Sequence, residues 1–322
     1  MSDELTLFPE ERTVRSQSAT RWLIVRGLLR DPVTFVAITI LALILISAVG
    51  AELVAPHDPL GQDLKLRNMP PMARALDENN APTGFPFILG TDPLGRDILS
   101  RIIFGARVSL TVGFSSALVS GLIGTLLGII AGYYRGSADD IIMRLVDIQM
   151  SIPVLLLALL VLFAIGSGFL NLVVVLAIVR WMAYTRLARG QTLALRNSPF
   201  IDAAIAIGNS NTRILFRHIV PNVASPLIIL GTLEVATLIL SEAGLSFLGF
   251  GIQLPQPSWG LMIAGGRQYI TSAWWIVAFP GLIIFLTTLS LNLLAASLRA
   301  ISDPVQRERW FRKSATPAKS AG

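Results

Sequence analysis

Long uncharged stretches alternate with short charged ones along this chain, and their lengths set its architecture. Runs free of charged residues cover 33–51, 108–134, 148–179 and 268–298, and 219–266 is interrupted only by Glu234 and Glu242. A helix needs about 20 apolar residues to cross the hydrocarbon core of a bilayer, so the longest runs hold two crossings, or one crossing and an interfacial piece. Gly166-Ser167-Gly168 breaks the run that starts at Ile148 and predicts a tight turn between two helices. The pattern therefore predicts six spans, at 33–55, 105–133, 141–165, 169–190, 222–248 and 274–299. Each is expected to be helical, because backbone polar groups in lipid must be satisfied within the segment. The short alternating strands of a membrane barrel are absent from the pattern. The expected fold class is all-α, a polytopic membrane protein. A tail covers 1–32, a polar loop 56–104, a five-helix core 105–300 with a helical element at 199–216, and a second tail 301–322.

Three features interrupt the apolar spans. Gly121, Gly124, Gly128 and Gly132 recur at three- or four-residue intervals and make a smooth stripe on which another helix lies close. A helix of this chain or of a partner subunit fits that stripe, with the partner subunit preferred. Pro153, Pro226 and Pro280 fall inside or near the start of spans three, five and six, where each deletes a backbone hydrogen bond and bends its helix. Arg180 and Glu234 fall near mid-membrane, counting about 1.5 Å per helical residue, and are expected to pair. Charges at that depth are costly and are functional candidates by default; here a packing role is weighed above substrate contact. Asp147 and Glu242 sit nearer the two surfaces.

Composition agrees with the pattern. Hydrophobic residues make up 53% of the chain and charged ones 14%, with a mean hydropathy of +0.67, far more apolar surface than one soluble core needs. The arginines supply the orientation. Arg12, Arg15, Arg21, Arg26 and Arg30 precede the first span, Arg196, Arg213 and Arg217 lie in 190–221, and Arg299, Arg307, Arg309, Arg312, Lys313 and Lys319 end the chain. The positive-inside rule puts these on the cytoplasmic side, with both termini cytosolic and 56–104 outside. In that outer loop Lys65, Arg67, Arg74, Arg96 and Arg101 are offset by Asp58, Asp63, Asp77, Glu78, Asp92 and Asp97, and its Pro, Asn and Asp content predicts turns and short helices. The net charge of +6 is thus topological, and no basic patch interleaved with aromatics argues for nucleic acid. The largely polar stretch 1–21 ahead of the first span argues against a cleavable signal peptide. Residues 19–30 read equally as a helix on the inner leaflet or as an ordinary flank.

Catalytic devices are missing. The chain has no cysteine, so it has neither a disulfide nor a thiolate ligand. Its lysines, Lys65, Lys313 and Lys319, stand in no glycine-rich phosphate loop. His57 and His218 are the sole histidines and are expected on opposite sides of the membrane, which rules out a zinc pair or a Ser/His/Asp triad. No catalytic residue, metal site or cofactor is expected.

The most informative stretch is SPFIDAAIAIGNSNTRILFRHIVP, Ser198 to Pro221. Ser198 is placed to accept free amide hydrogens at a helix start, Pro199 suits the first helical position, and Asp202 favours the positive end of the helix. Phe200, Ala203, Ala204 and Ile207 share one face, and Gly208 ends or bends the piece. Asn209 and Ser210 can cap a second piece carrying Arg213, Arg217 and His218, and Pro221 breaks the chain into span five. A stiff elbow results.

Asp202-Ala203-Ala204, Gly208, His218 and Pro221 resemble the cytosolic loop signature of the inner-membrane permeases of bacterial ABC importers, with Asp202 where Glu is usual. LGTDPLGRDILSRIIFGARVSL (89–110), GYYRGSADDIIMRLVDI (132–148) and EAGLSFLGFGIQLPQPSWG (242–260) are similar to the second permease of the dipeptide, oligopeptide and nickel importer group. The likeness covers most of 85–303. It implies a type I permease fold in a bacterial inner membrane and a non-catalytic subunit working with a second permease, two ATPase subunits and an extracytoplasmic binding protein. It also implies that the elbow, with Asp202, Ala203, Ala204, Gly208, Arg213, His218 and Pro221, docks on an ATPase. On that reading Ala204→Arg or Gly208→Asp leaves insertion intact and uncouples ATP hydrolysis from uptake, and an amphipathic helix resting on lipid is the plainer alternative. Peptides are the implied cargo ahead of nickel, for which soft ligands inside the spans are lacking. A channel or ion-coupled carrier would keep the spans without the docking element, and the inverted repeats of a carrier are not detected. The gap Gly249 to Thr271, with Pro255, Pro257 and Trp259, re-enters the outer mouth, meets the substrate-delivering protein, or is an interfacial loop anchored by Trp259.

Overall fold

A computed structural model describes residues 31–77 and 81–302. The segment at 19–30 and the basic residues from Arg307 onward lie outside the described residues. Helix α1, Pro32–Val49, starts where the Asp31 carboxylate accepts the Thr34 amide hydrogen at 2.9 Å and Pro32 opens the first turn. Gly50 separates it from the single turn α2, Ala51–Val54. The polar loop folds into an antiparallel pair, β1 Ala73–Leu76 and β2 Pro82–Phe87. These strands depart from the turns and short helices expected there. Buried Phe87 at the end of β2 ties the pair to the helices beneath by stacking on His57, with ring centroids 4.6 Å apart.

Helix α3, Ile98–Tyr134, begins earlier than the expected 105 because Asp97 caps it, its Oδ2 accepting from the Ser100 amide at 2.8 Å. Then follow α4 Gly136–Met150, α5 Val154–Ile165 and α6 Phe169–Arg196. The expected span 141–165 is not one helix, since α4 and α5 meet at 90°. Pro153 explains the break: it offers no amide hydrogen and disfavours helical geometry in the residue before it. Helix α7, Pro199–Ala206, leads to α8, Asn211–Ile214, a π turn over Leu215–Ile219 and α9, Val220–Phe247. Helix α10, Trp259–Gly266, and α11, Trp275–Ser302, complete the order. Among the described residues five helices are long and apolar enough to cross a membrane, or six when the bent pair counts as one crossing.

Pro221 does not break the chain as its residue type suggests. Residues Asn211–Phe247 run as one continuous span. The helix widens ahead of the proline, where the Val220 amide bonds back to Leu215 O, and Asn222 donates its side-chain amide to His218 O at 2.6 Å. The widened turn relieves the clash between the proline ring and the carbonyl of the preceding turn, so the helix passes Pro221 without breaking.

The glycine stripe packs inside this chain, against α6, and not against a second subunit. A methyl group on Gly124 would lie 2.3 Å from Trp181 O, one on Gly128 2.5 Å from Thr185 O, and one on Gly132 2.8 Å from Arg189 O. Backbone meets backbone along three turns, which only glycine permits. Near the α7 end of the bundle this contact supports a cluster of Ile129, Tyr133, Ala188, Ile201, Ala204 and Ile214. At the hairpin end Ile98, Met262, Trp275 and Ile276 form another. Gly128→Val is expected to cost about 3 kcal/mol, the upper end for overpacking, because a carbonyl cannot rotate away as a side chain can. Thermal unfolding in detergent checks this, with no change expected for Leu126→Val, whose side chain is exposed.

Candidate functional site: an intramembrane ion pair and a helical elbow

The elbow is built on a buried seam. Ile201 and Ala204 face inward, while Phe200, Ala203 and Ile207 are exposed, Ile207 to 81%. Ala204 is therefore a core residue, not part of a free docking face, and an arginine there would unseat α7 instead of uncoupling it. Ser198 also differs from expectation: its hydroxyl donates back to Leu195 O and caps nothing in α7, whose first turn is closed by the Ser198 carbonyl accepting from Ile201 and Asp202. Asp202 lies in that first turn, 3.6 Å from Arg196 on the exposed surface. Gly208 has φ +82°, and a methyl group there would touch nothing, so backbone conformation and not space requires glycine. Gly208→Asp would strain the turn itself.

Beyond the turn, the backbone and side-chain amides of Asn209 both donate to Ala204 O at 3.1 Å, and Ser210 caps α8 by accepting from the Arg213 amide. Tyr133 Oη donates to Asn211 at 2.8 Å and pins α8 to α3. Arg213, Phe216 and Arg217 line an open hollow of about 590 Å³ beside the elbow. His218 sits in the π turn with its ring 6.3 Å from that of Phe200, and Pro221 lies in the first turn of α9. Arg213, His218 and Pro221 thus belong to the base of the long span, not to a separate loop.

Arg180 and Glu234 come together in the middle of the bundle. Arg180 donates from Nε to Oε2 at 2.7 Å and from Nη2 to Oε1 at 2.6 Å, a fork-on-fork contact that fixes both side chains. Glu234 is 4% exposed. One turn away, Tyr184, Gly231 and Val235 line an apolar cavity of about 830 Å³ between α1, α3, α6, α9 and α11. A second set of charges joins α4 to α6: Arg189 grips Asp139 through two bonds, and Arg186 meets Asp147 at 2.7 Å.

Trp259 is fully buried, with Nε1 donating to Ile102 O at 3.0 Å. It anchors α10 to α3. Pro257 is buried with it, and Pro255 alone of the three expected outer-mouth residues is exposed.

With the geometry in place, sequence comparison decides the family. The family model described as binding-protein-dependent transport system inner membrane component matches residues 124–308. The chain belongs to that family. The N-terminal transmembrane domain of oligopeptide transport permease C also matches, over 20–71. This inner membrane component is 43% identical to the di/tripeptide transport system permease protein DppC of Pseudomonas aeruginosa, over 81% of this chain and 84% of that one. It is 37% identical to the probable D,D-dipeptide transport system permease protein DdpC of Escherichia coli, over 93% and 98%. Among solved structures, the inward-facing MetNI methionine ABC transporter aligns at 18% identity over 60% of this chain and 94% of that one, with a TM-score of 0.47.

In this permease the residue that sequence reasoning undervalued is Glu242. It is fully buried, accepting from Ser109 Oγ at 3.0 Å and Ser246 Oγ at 2.7 Å, while Ser109 Oγ also receives the Trp259 amide at 3.4 Å. The carboxyl group thereby ties α3, α9 and the approach to α10 into one piece. Its signal was a serine one turn on, at Ser246, but Ser109 is far away in sequence and periodicity cannot assign it. For the mid-membrane pair, Glu234→Gln is expected to destabilise the permease by about 3 kcal/mol, the lower end for breaking a buried pair, because it leaves a partly buried guanidinium without its counter-charge. Arg180→Gln together with Glu234→Gln should recover most of that loss, as read from unfolding midpoints of the purified protein.

Proposed function

We infer that this permease carries peptides across a bacterial inner membrane, as half of a path completed by a second permease. Peptides are delivered by an extracytoplasmic binding protein, and conformational change is driven by two ATPase subunits that dock on α7. The chain itself performs no catalysis. Both termini and the elbow are cytosolic on this reading, which accords with Arg196, Arg213, Arg217 and Arg299 gathering at one end of the bundle. Peptide as cargo is supported by relatives named for di/tripeptide and D,D-dipeptide transport.

The observation that carries the docking role is the shape of α7. Its inner face is locked into the bundle by Ile201 and Ala204, and its outer face leaves Phe200, Ala203 and Ile207 uncovered. Exposed apolar side chains on a rigid element beyond the membrane mark an interaction surface, and a preformed helix binds without a large ordering cost. Force applied to such an element enters the bundle directly, because α6 runs into it and α9 leaves it.

Two substitutions one residue apart separate docking from folding. Ala203→Arg is expected to leave a folded, membrane-inserted permease while uptake in cells falls at least tenfold, about the 1–3 kcal/mol of a disrupted interface residue. Ala204→Arg is expected to lower folded yield itself. A photo-crosslinker at Ala203 should capture an ATPase subunit in importing cells. Wild-type uptake by Ala203→Arg, or capture of lipid alone, would remove the docking role.

A further inference from the structure

The fork between Arg180 and Glu234 leaves half of the guanidinium unused. Nε and Nη2 are engaged by the two carboxylate oxygens, whereas Nη1 makes no hydrogen bond among the described residues. Nor is the group sealed in, since the Arg180 side chain is 21% exposed against 5% for Glu234. Its depth gives this meaning. Arg180 lies eleven residues into α6, roughly 17 Å along a helix of about 42 Å, and Glu234 sits halfway along α9. A guanidinium edge open to hydrocarbon at that depth is strongly unfavourable, and such groups face bundle interiors or water-filled passages instead.

We propose that the free Nη1 edge of Arg180 lines the translocation path and hydrogen-bonds the main-chain carbonyl oxygens of the passing peptide. The proposal rests on the peptide-permease reading and adds the contact that reading leaves unspecified. Glu234 is the positioning residue: its carboxylate holds the guanidinium plane still and cancels the charge, so that the free edge offers two neutral-paired donors instead of a naked cation that would trap an anionic cargo. Every peptide carries main-chain carbonyls whatever its side chains, so this contact serves cargoes of mixed sequence. The neighbouring cavity wall of Tyr184, Gly231 and Val235 is apolar and uncharged, which leaves the pair as the charged group beside it.

The absence of cysteine from the chain makes a clean accessibility test. Ala183, partly exposed and one turn from Arg180 on α6, becomes Ala183→Cys in the complete transporter, with the ion pair untouched. A membrane-impermeant thiosulfonate should label it in the nucleotide-free state, and excess peptide with binding protein should slow labelling. Uptake is then compared in the neutral variant Arg180→Gln with Glu234→Gln, after checking that it co-purifies with its partner subunits. Peptides with acidic, neutral and basic side chains should all lose uptake, about tenfold and in equal proportion, as expected for one lost charge-assisted hydrogen bond. Failure of Ala183→Cys to label in any nucleotide state, wild-type uptake by the neutral variant, or a loss confined to acidic peptides would each overturn the proposal. A wild-type transporter that imports no peptide at all would instead remove the reading on which it rests.

Discussion

The contact between α3 and α6 is the constraint on which the remaining structure depends. In lipid there is no hydrophobic gain in bringing two helices together, so association rests on close packing and polar contacts. Gly124, Gly128 and Gly132 let α3 approach until the carbonyls of Trp181, Thr185 and Arg189 fill the space where side chains would stand. Helix α6 then serves as the common wall. Its Arg189 holds α4, its Arg180 holds α9, and its C-terminal end delivers the chain into α7. A shift of α6 by one ångström would disturb all three at once.

Charge is used sparingly and in matched form around that wall. The pair in mid-bundle is bidentate, and the deeply buried Glu242 sits among hydroxyls and not beside a cation. Two solutions to the same desolvation problem therefore coexist in α9, about 12 Å apart, one at the middle of the helix and one near its end. Hydroxyl donors suit a residue that only has to stay put, since serines bring no charge that would itself need burial. The arginine, with more donors than its carboxylate can occupy, retains capacity for a further acceptor.

Much of the architecture was legible because lipid imposes a simple rule on sequence: uninterrupted apolar length means a crossing. The spans of α1, α6, α9 and α11 follow from that rule, and the Arg180–Glu234 contact followed from depth alone. Other features were not legible for identifiable reasons. Apolar length says nothing about direction, so the 90° bend between α4 and α5 was hidden within one hydrophobic run even though Pro153 was in view. A glycine stripe records that something lies close without recording what, and its preference for a partner subunit was mistaken. Helical spacing put Ala204 with Ala203 and Phe200, whereas the buried direction of α7 passes through Ile201 and Ala204; one position of rotation on a short helix decides which residue is core. Trp259 is ambiguous in sequence because tryptophan favours both membrane interfaces and buried sites with an N–H partner, and only the fold supplies Ile102 O.

Continuity of the backbone sets how the elbow and the mid-bundle pair relate. Asn211–Phe247 is a single span, so a displacement at α8 is carried up α9 without a break in the helix. Two places along it can absorb or redirect that displacement: the π turn at Leu215–Ile219 and Pro226 inside the helix. Both lie below Glu234. Because Glu234 is locked to Arg180 by two bonds, motion that passes those points must either carry α6 along or break the fork. Helix α6 is in turn held to α3 by backbone contact and cannot follow alone, so the stiffest part of the molecule moves as a block or not at all. The proposed function requires a movement of that kind, in which a push on α7 tilts α3, α6 and α9 together while α4 and α5, joined at their bend, accommodate the difference.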